Sequence, residues 1–120
     1  MELIISALIF LIVIEHAGFL YLEMFLWTKK AGIKIFRHSK EQAEKTKVLA
    51  ANQGLYNGFL AAGLLWGLFH NNPVFGSQII FFFLACIVIA GIYGGITVSR
   101  SIFYIQALPA LFTVTLLLLK

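Results

Sequence analysis

Charged residues are scarce in this sequence. Asp, Glu, Lys and Arg make up 12% of its 120 residues, about half the ~25% of an ordinary soluble domain. The shortage excludes such a domain, and a hydrophobic share of 61% with a mean hydropathy of +0.94 points to an integral membrane protein. Cysteine is nearly absent as well. Cys86 alone, inside an apolar run, excludes an intramolecular disulfide and a zinc cluster of cysteines, and reads as a small buried hydrophobe. The start of the chain lacks the marks of a signal peptide: Glu2 stands where basic residues belong, the apolar run is too long, and no A-x-A site follows. It is expected to be a retained span. The net charge of +4 is no nucleic-acid footprint, because seven of the nine basic residues fall in one segment, 28–47. Lys and Arg clustered beside membrane spans set orientation.

What the chain does have is four long apolar runs, at 3–27, 48–69, 78–98 and 102–119. At ~20 residues per crossing they consume about two thirds of the chain and leave no room for a soluble domain. The expected fold is all-α, a single transmembrane domain of four helices in a compact bundle. The basic segment 28–47 is expected in the cytoplasm, with Arg100 on the same side, so both termini face outward across the plasma membrane. Ser39 with Gln42 matches a capping box, and nothing breaks the sequence after it, so a helix from near Lys40 is expected to run on into the second span. Ile33, Ile35 and Phe36, among Lys34 and Arg37, suit a stretch lying at the headgroups. His38 reads as a solvated surface histidine. Residues 70–77, with Asn-Pro and Gly as breakers, read as a turn, and Pro109 is expected to kink the last span.

The first run interrupts itself. Glu15, His16 and Glu23 lie in the middle of it, although an ionisable group at that depth costs at least ~2.5–3.5 kcal/mol and normally faces a protein interior. At roughly 100° per residue, His16 and Glu23 fall about 20° apart and about 10.5 Å along the axis. Ile9, Ile12, Phe19 and Leu20 share their face, and Glu15 points elsewhere. The opposite arc, including Phe10, Val13, Ile14, Tyr21 and Phe25, carries no charge and suits lipid. A charged carboxylate facing hydrocarbon is expensive, so Glu23 either pairs or keeps its proton. Its candidate partners are Asn52, Gln53, Asn57, Tyr93, Thr97 and Gln106.

Asn52, Gln53, Tyr56 and Asn57 make one broad polar band in the second run, spaced at helical intervals. Gly54, Gly58, Gly63 and Gly67 among them, and Gly91 to Gly95 in the third run, permit close helix packing. With the orientation fixed by the basic loop, Glu23, this band, Tyr93, Thr97 and Gln106 all fall near the cytoplasmic face, with Glu15 and His16 deeper. Contributions from four helices at one level imply an internal pocket. Three carboxylate and imidazole groups on one helix do not converge on an ion, so no metal is expected, and no cofactor.

These same stretches carry a family likeness. Glu15-His16-Ala17-Gly18-Phe19-Leu20-Tyr21-Leu22-Glu23, Ala51-Asn52-Gln53-Gly54-Leu55-Tyr56-Asn57-Gly58, Ala90-Gly91-Ile92-Tyr93-Gly94 and Gln106-Ala107-Leu108-Pro109 resemble the small membrane proteins grouped as domain-of-unknown-function family 1304. The likeness spans nearly the whole chain. It implies a compact four-helix membrane protein and brings no activity with it.

Three readings of function follow. The first is a protein that binds or transports a small polar or amphipathic ligand, with Glu15, His16 or Glu23 as the protonatable group. In size and in a first-helix carboxylate this looks like the small multidrug-resistance transporters, whose other motifs it lacks. The second is a membrane enzyme using those groups for acid/base chemistry on a lipid-like substrate, similar in chemistry to the sterol isomerases. The third is an accessory subunit whose polar groups only lock helices together. The expected partners are the lipid bilayer, a small-molecule ligand and, as an open alternative, further copies of the chain in a homo-oligomer. Nucleic acid is not among them.

Overall fold

The first apolar run contains no proline and a single glycine, Gly18, and it folds as one uninterrupted helix, α1 (Glu2–Phe25). At 1.5 Å per residue it is about 36 Å long, enough for a bilayer core of ~30 Å. The computed structural model describes every residue from Met1 to Lys120 and contains no strand. After α1 comes a short helix, α2 (Lys30–Phe36), closed by Arg37 in the left-handed conformation at φ 54°, ψ 44°. Then α3 (Lys40–Leu68) runs 29 residues without a break. Its start follows the expected cap: the Gln42 backbone N–H donates to Ser39 Oγ at 3.1 Å.

One expectation about helix shape is corrected. The turn read at 70–77 is shorter, because α4 (Pro73–Thr97) begins at the proline itself. Asn72 Oδ1 accepts from the N–H groups of Val74 and Phe75, and Pro73 sits where a missing N–H costs nothing. Pro109 does not break the last helix, α5 (Arg100–Leu118). A π-helical turn at Phe103–Ala107 precedes it, in which Leu108 N–H donates to the Phe103 carbonyl. The proline cannot supply the N–H that the Ile105 carbonyl would otherwise receive, and the wider register stands where that bond is missing.

Three helices, α1, α4 and α5, are long and apolar enough to cross a membrane. By that measure α3 falls short of the expected fourth. The reason lies in its first half: Lys40, Glu41, Glu44, Lys45 and Lys47 are followed by Asn52, Gln53 and Asn57.

The chain divides into two compact units, Ile14–Ala61 and Met1–Val13 with Ala62–Lys120, so that α1 and α3 contribute to both. In the Ile14–Ala61 unit α1 and α3 are antiparallel. Trp27 meets Thr46, Glu23 meets Asn57, and Leu20 lies where a side chain on Gly58 would be. In the other unit the rings of Phe10 and Phe69 lie 6.1 Å apart. There Gly67 faces Ile80 and the Gly76 carbonyl, and Gly91 faces Ala107, so α3 with α4 and α4 with α5 are antiparallel too. Buried residues of α4 form one stripe: Gly76, Ile80, Leu84, Ile87 and Gly91. Glu2 and Lys120 form an ion pair that joins the two ends of the chain. On α1 the buried stripe is Ile5, Ile9, Ile12, His16 and Glu23, the face expected. Val13, assigned to the lipid arc, is buried instead, since it stands next to that stripe.

The α4–α5 contact offers a test of this packing. A Cβ on Gly91 would sit 2.6 Å from the Ala107 nitrogen, a backbone atom that cannot swing aside, whereas one on Gly18 would meet nothing within 4 Å. Gly91→Leu is therefore expected to destabilise the protein by at least the ~1–3 kcal/mol of an overpacked core, and Gly18→Leu to leave it intact. Thermal unfolding in detergent reads the difference, and equal melting temperatures would contradict the contact.

Candidate functional site

A glycine positions the site. Gly54 is buried, and a Cβ there would lie 2.8 Å from Met24 Cγ and 3.0 Å from Glu23 Cβ. Without a side chain, α3 approaches α1 closely at Glu23, and Asn57, one turn further on, reaches the carboxyl. Asn57 Nδ2 donates to Glu23 Oε1 at 2.8 Å, with both residues buried. Gln53 approaches the same carboxyl. Glu23 is 2% exposed and its Oε2 is enclosed with no hydrogen-bond donor. His16, two turns earlier on the same face, is 1% exposed and stands edge-on to Phe19, ring centroids 6.0 Å apart. Glu15 is half-buried, and its Oε1 too is enclosed without a donor.

Of the six candidate partners for Glu23, then, Asn57 holds the bond. The others stand differently. Asn52 is exposed and donates to the Val48 carbonyl of its own helix, at 2.9 Å. Tyr56 lies on the exposed side of α3, and Tyr93 on the exposed side of α4. Thr97 is exposed and donates to the Tyr93 carbonyl at 2.7 Å. Gln106 is half-buried in the π-helical turn. Glu15, His16, Glu23, Asn52, Gln53, Tyr56 and Asn57 belong to the Ile14–Ala61 unit, whereas Tyr93, Thr97 and Gln106 belong to the other. No group of three or more His, Cys, Asp or Glu side chains is arranged to hold a metal ion.

The Ile14–Ala61 unit also contains a cleft that the sequence did not announce. It has a volume of about 420 Å³ and is walled by Trp27, Phe36 and His38, with Gln42, Thr46 and Gln53 along α3 and Arg37 exposed beside them. His38 is not the solvated histidine expected. It is half-buried, its ring 4.5 Å from that of Trp27 and nearly parallel to that of Phe36. Trp27 Nε1 donates to Thr46 Oγ1 at 3.0 Å, and Thr46 in turn donates to the Gln42 carbonyl at 2.8 Å. The left-handed turn at Arg37 returns His38 to Trp27, and no local pattern signals such a turn at an arginine.

The protein is thus an all-helical one with three helices apolar enough to cross a membrane. Its family is defined by sequence: residues 10–118 match the model described as protein of unknown function (DUF1304), and the chain belongs to that family. It is also similar to the uncharacterized protein YpaA of Lactococcus lactis subsp. lactis (strain IL1403). The two are 30% identical over 108 residues, covering 88% of this chain and 89% of the relative. No solved structure matches.

The Glu23–Asn57 bond has a measurable signature. Glu23→Leu and Asn57→Leu each leave one buried polar group alone and are expected to cost about 1–3 kcal/mol. The double variant removes both groups, so its loss is expected to be smaller than the sum of the single losses. Melting temperatures of the four proteins check this; strictly additive losses would mean that the two side chains do not interact.

Proposed function

We propose that this protein spans the plasma membrane four times, with both termini outside and residues 28–47 in the cytoplasm. In this reading it binds or transports a small ligand through a polar pocket centred on Glu23. Support for the fourth crossing comes from the antiparallel pairing of α1 and α3 within Ile14–Ala61, from Trp27–Thr46 through Glu23–Asn57 to Leu20 against Gly58. A helix alongside a spanning helix over that length shares its membrane. The Glu2–Lys120 ion pair agrees, because ends on one side require an even number of crossings. The seven basic residues of 28–47 set the orientation.

The observation that carries the ligand reading is the half-used carboxyl. Asn57 satisfies Glu23 Oε1, while Oε2 is buried without a donor. A group serving only to hold two helices together gains nothing from that, since an unsatisfied buried acceptor costs about 1–3 kcal/mol. A small amphipathic ligand carrying an ammonium or hydroxyl donor supplies the missing bond.

Topology is tested by single cysteines at Ser39 and Asn71 in a Cys86→Ala background, with an impermeant maleimide on whole cells. Labelling at position 71 and not at 39 is expected; the reverse overturns the orientation. The pocket is tested by thermal shift of the purified protein with a series of alkylamines and alkanols. At least one is expected to stabilise the wild type and not Glu23→Gln, with Glu41→Gln behaving as wild type. If Glu23→Gln shifts as the wild type does, Glu23 is packing alone and the accessory reading stands.

A further inference from the structure

We propose that the cleft walled by Trp27, Phe36 and His38 is a second binding site, one for a phosphate group, with Arg37 as its charge partner. The inference goes beyond the Glu23 reading and shares with it only Gln53. It begins with the charges. Segment 28–47 has two acidic residues, and both are engaged on α3: Lys45 Nζ meets Glu41 at 3.0 Å and Lys47 Nζ meets Glu44 at 3.1 Å. Arg37 is left with no ion pair, and no carboxylate lines the cleft. Lys29, Lys30 and Lys34 on the adjoining stretch add potential of the same sign. The local field therefore selects an anion.

The hydrogen-bonding groups select further. Trp27 Nε1 and the Thr46 hydroxyl proton are already used within the wall, and His38 Nε2 lies 3.4 Å from the Trp27 carbonyl. What remains is the Arg37 guanidinium and the side-chain amide of Gln42, since the Gln53 amide, also on the cleft wall, already approaches Glu23. Arginine presents a rigid fork suited to oxyanions. The five N–H groups of an arginine with the two of the Gln42 amide exceed the about four lone-pair positions of a carboxylate and suit the several oxygens of a phosphate. The aromatic wall gives an attached apolar or flat group a surface to lie on.

The backbone agrees. Arg37 is the only residue other than glycine with positive φ, a conformation that costs an L side chain roughly 1–2 kcal/mol and in which glycine is at home. An arginine holds the place all the same, at the point where the chain turns His38 back onto Trp27. The cleft's volume of about 420 Å³ is within the range of small-ligand sites. A phosphate can come from a lipid headgroup, for the site follows directly on a spanning helix, or from a soluble phosphate ester.

The experiment uses the full chain with Trp66→Phe, which leaves Trp27 the single tryptophan, in dodecyl maltoside, a detergent without phosphate. Trp27 fluorescence is followed against inorganic phosphate in one arm. In the other it is followed against phosphatidylglycerol doped into the micelles, with diacylglycerol of the same chains as control. A saturable change is expected in at least one arm and none with diacylglycerol. Saturation with inorganic phosphate assigns a soluble ligand; saturation with the phospholipid alone assigns a headgroup. Arg37→Gln is expected to weaken the response at least tenfold, and Lys34→Gln less than twofold. Arg37→Gly suits the left-handed backbone and so keeps the fold, yet is expected to lose the response. Equal weakening by Arg37→Gln and Lys34→Gln, full binding by Arg37→Gly, or no saturable change in either arm would each overturn the proposal.

Discussion

The hydrogen bond from Asn57 to Glu23 is the constraint to which the α1–α3 pair is fitted. A carboxyl removed from water must be matched by donors, and the deficit is larger where little water can follow. At Glu23 the match is led by one amide of α3, Asn57, at 2.8 Å, with Gln53 beside it. That distance leaves no slack in register: one residue of slip in α3 would turn Asn57 about 100° away. The register is set sterically by Gly54, where any side chain would strike Met24 and the stem of Glu23. Packing and chemistry are thus decided by the same two turns of α3.

Much of this was legible before the structure. The face of α1 that carries Ile9, Ile12, His16 and Glu23 follows from helical spacing alone, because an ionisable pair in an apolar run has nowhere else to go. The helix start at Ser39 was legible from its capping chemistry. What the spacing could not decide was which arc of α3 turns inward. Asn52, Gln53, Tyr56 and Asn57 form one band about 140° wide, within which periodicity treats them alike. The structure separates them along the line of Ala50, Gly54, Asn57, Ala61 and Leu64, which are buried. That line is the one on which small residues recur, so glycine and alanine were better guides to the inner face than the polar side chains. The same holds on α4, where Tyr93 and Thr97 lie off the stripe that runs through Gly76 and Gly91.

Other features were illegible for a different reason. The cap at Asn72, the π-helical turn before Pro109 and the left-handed Arg37 each depend on how one backbone group finds its partner. Sequence patterns register that proline interrupts a helix. They do not register that a helix can widen by one residue and continue. The His38 cluster is the clearest case. Its assembly needs a turn at a residue with no marked preference for it, and a tryptophan eleven positions earlier whose ring is fixed by Thr46 on a third segment.

Polar chemistry and apolar packing are divided between the two units. Met1–Val13 with Ala62–Lys120 buries Ile5, Ile9, Leu64, Leu84 and Ile87. Its one buried polar side chain, Thr113, is satisfied by the Pro109 carbonyl of its own helix at 2.8 Å. Ile14–Ala61 holds both carboxyl oxygens that lack a donor and the cleft beside Arg37. Buried groups left half-satisfied lower stability, and a chain gains from keeping them only where something else completes them. Their confinement to one 48-residue stretch, Ile14–Ala61, is therefore itself the reason to look for function there.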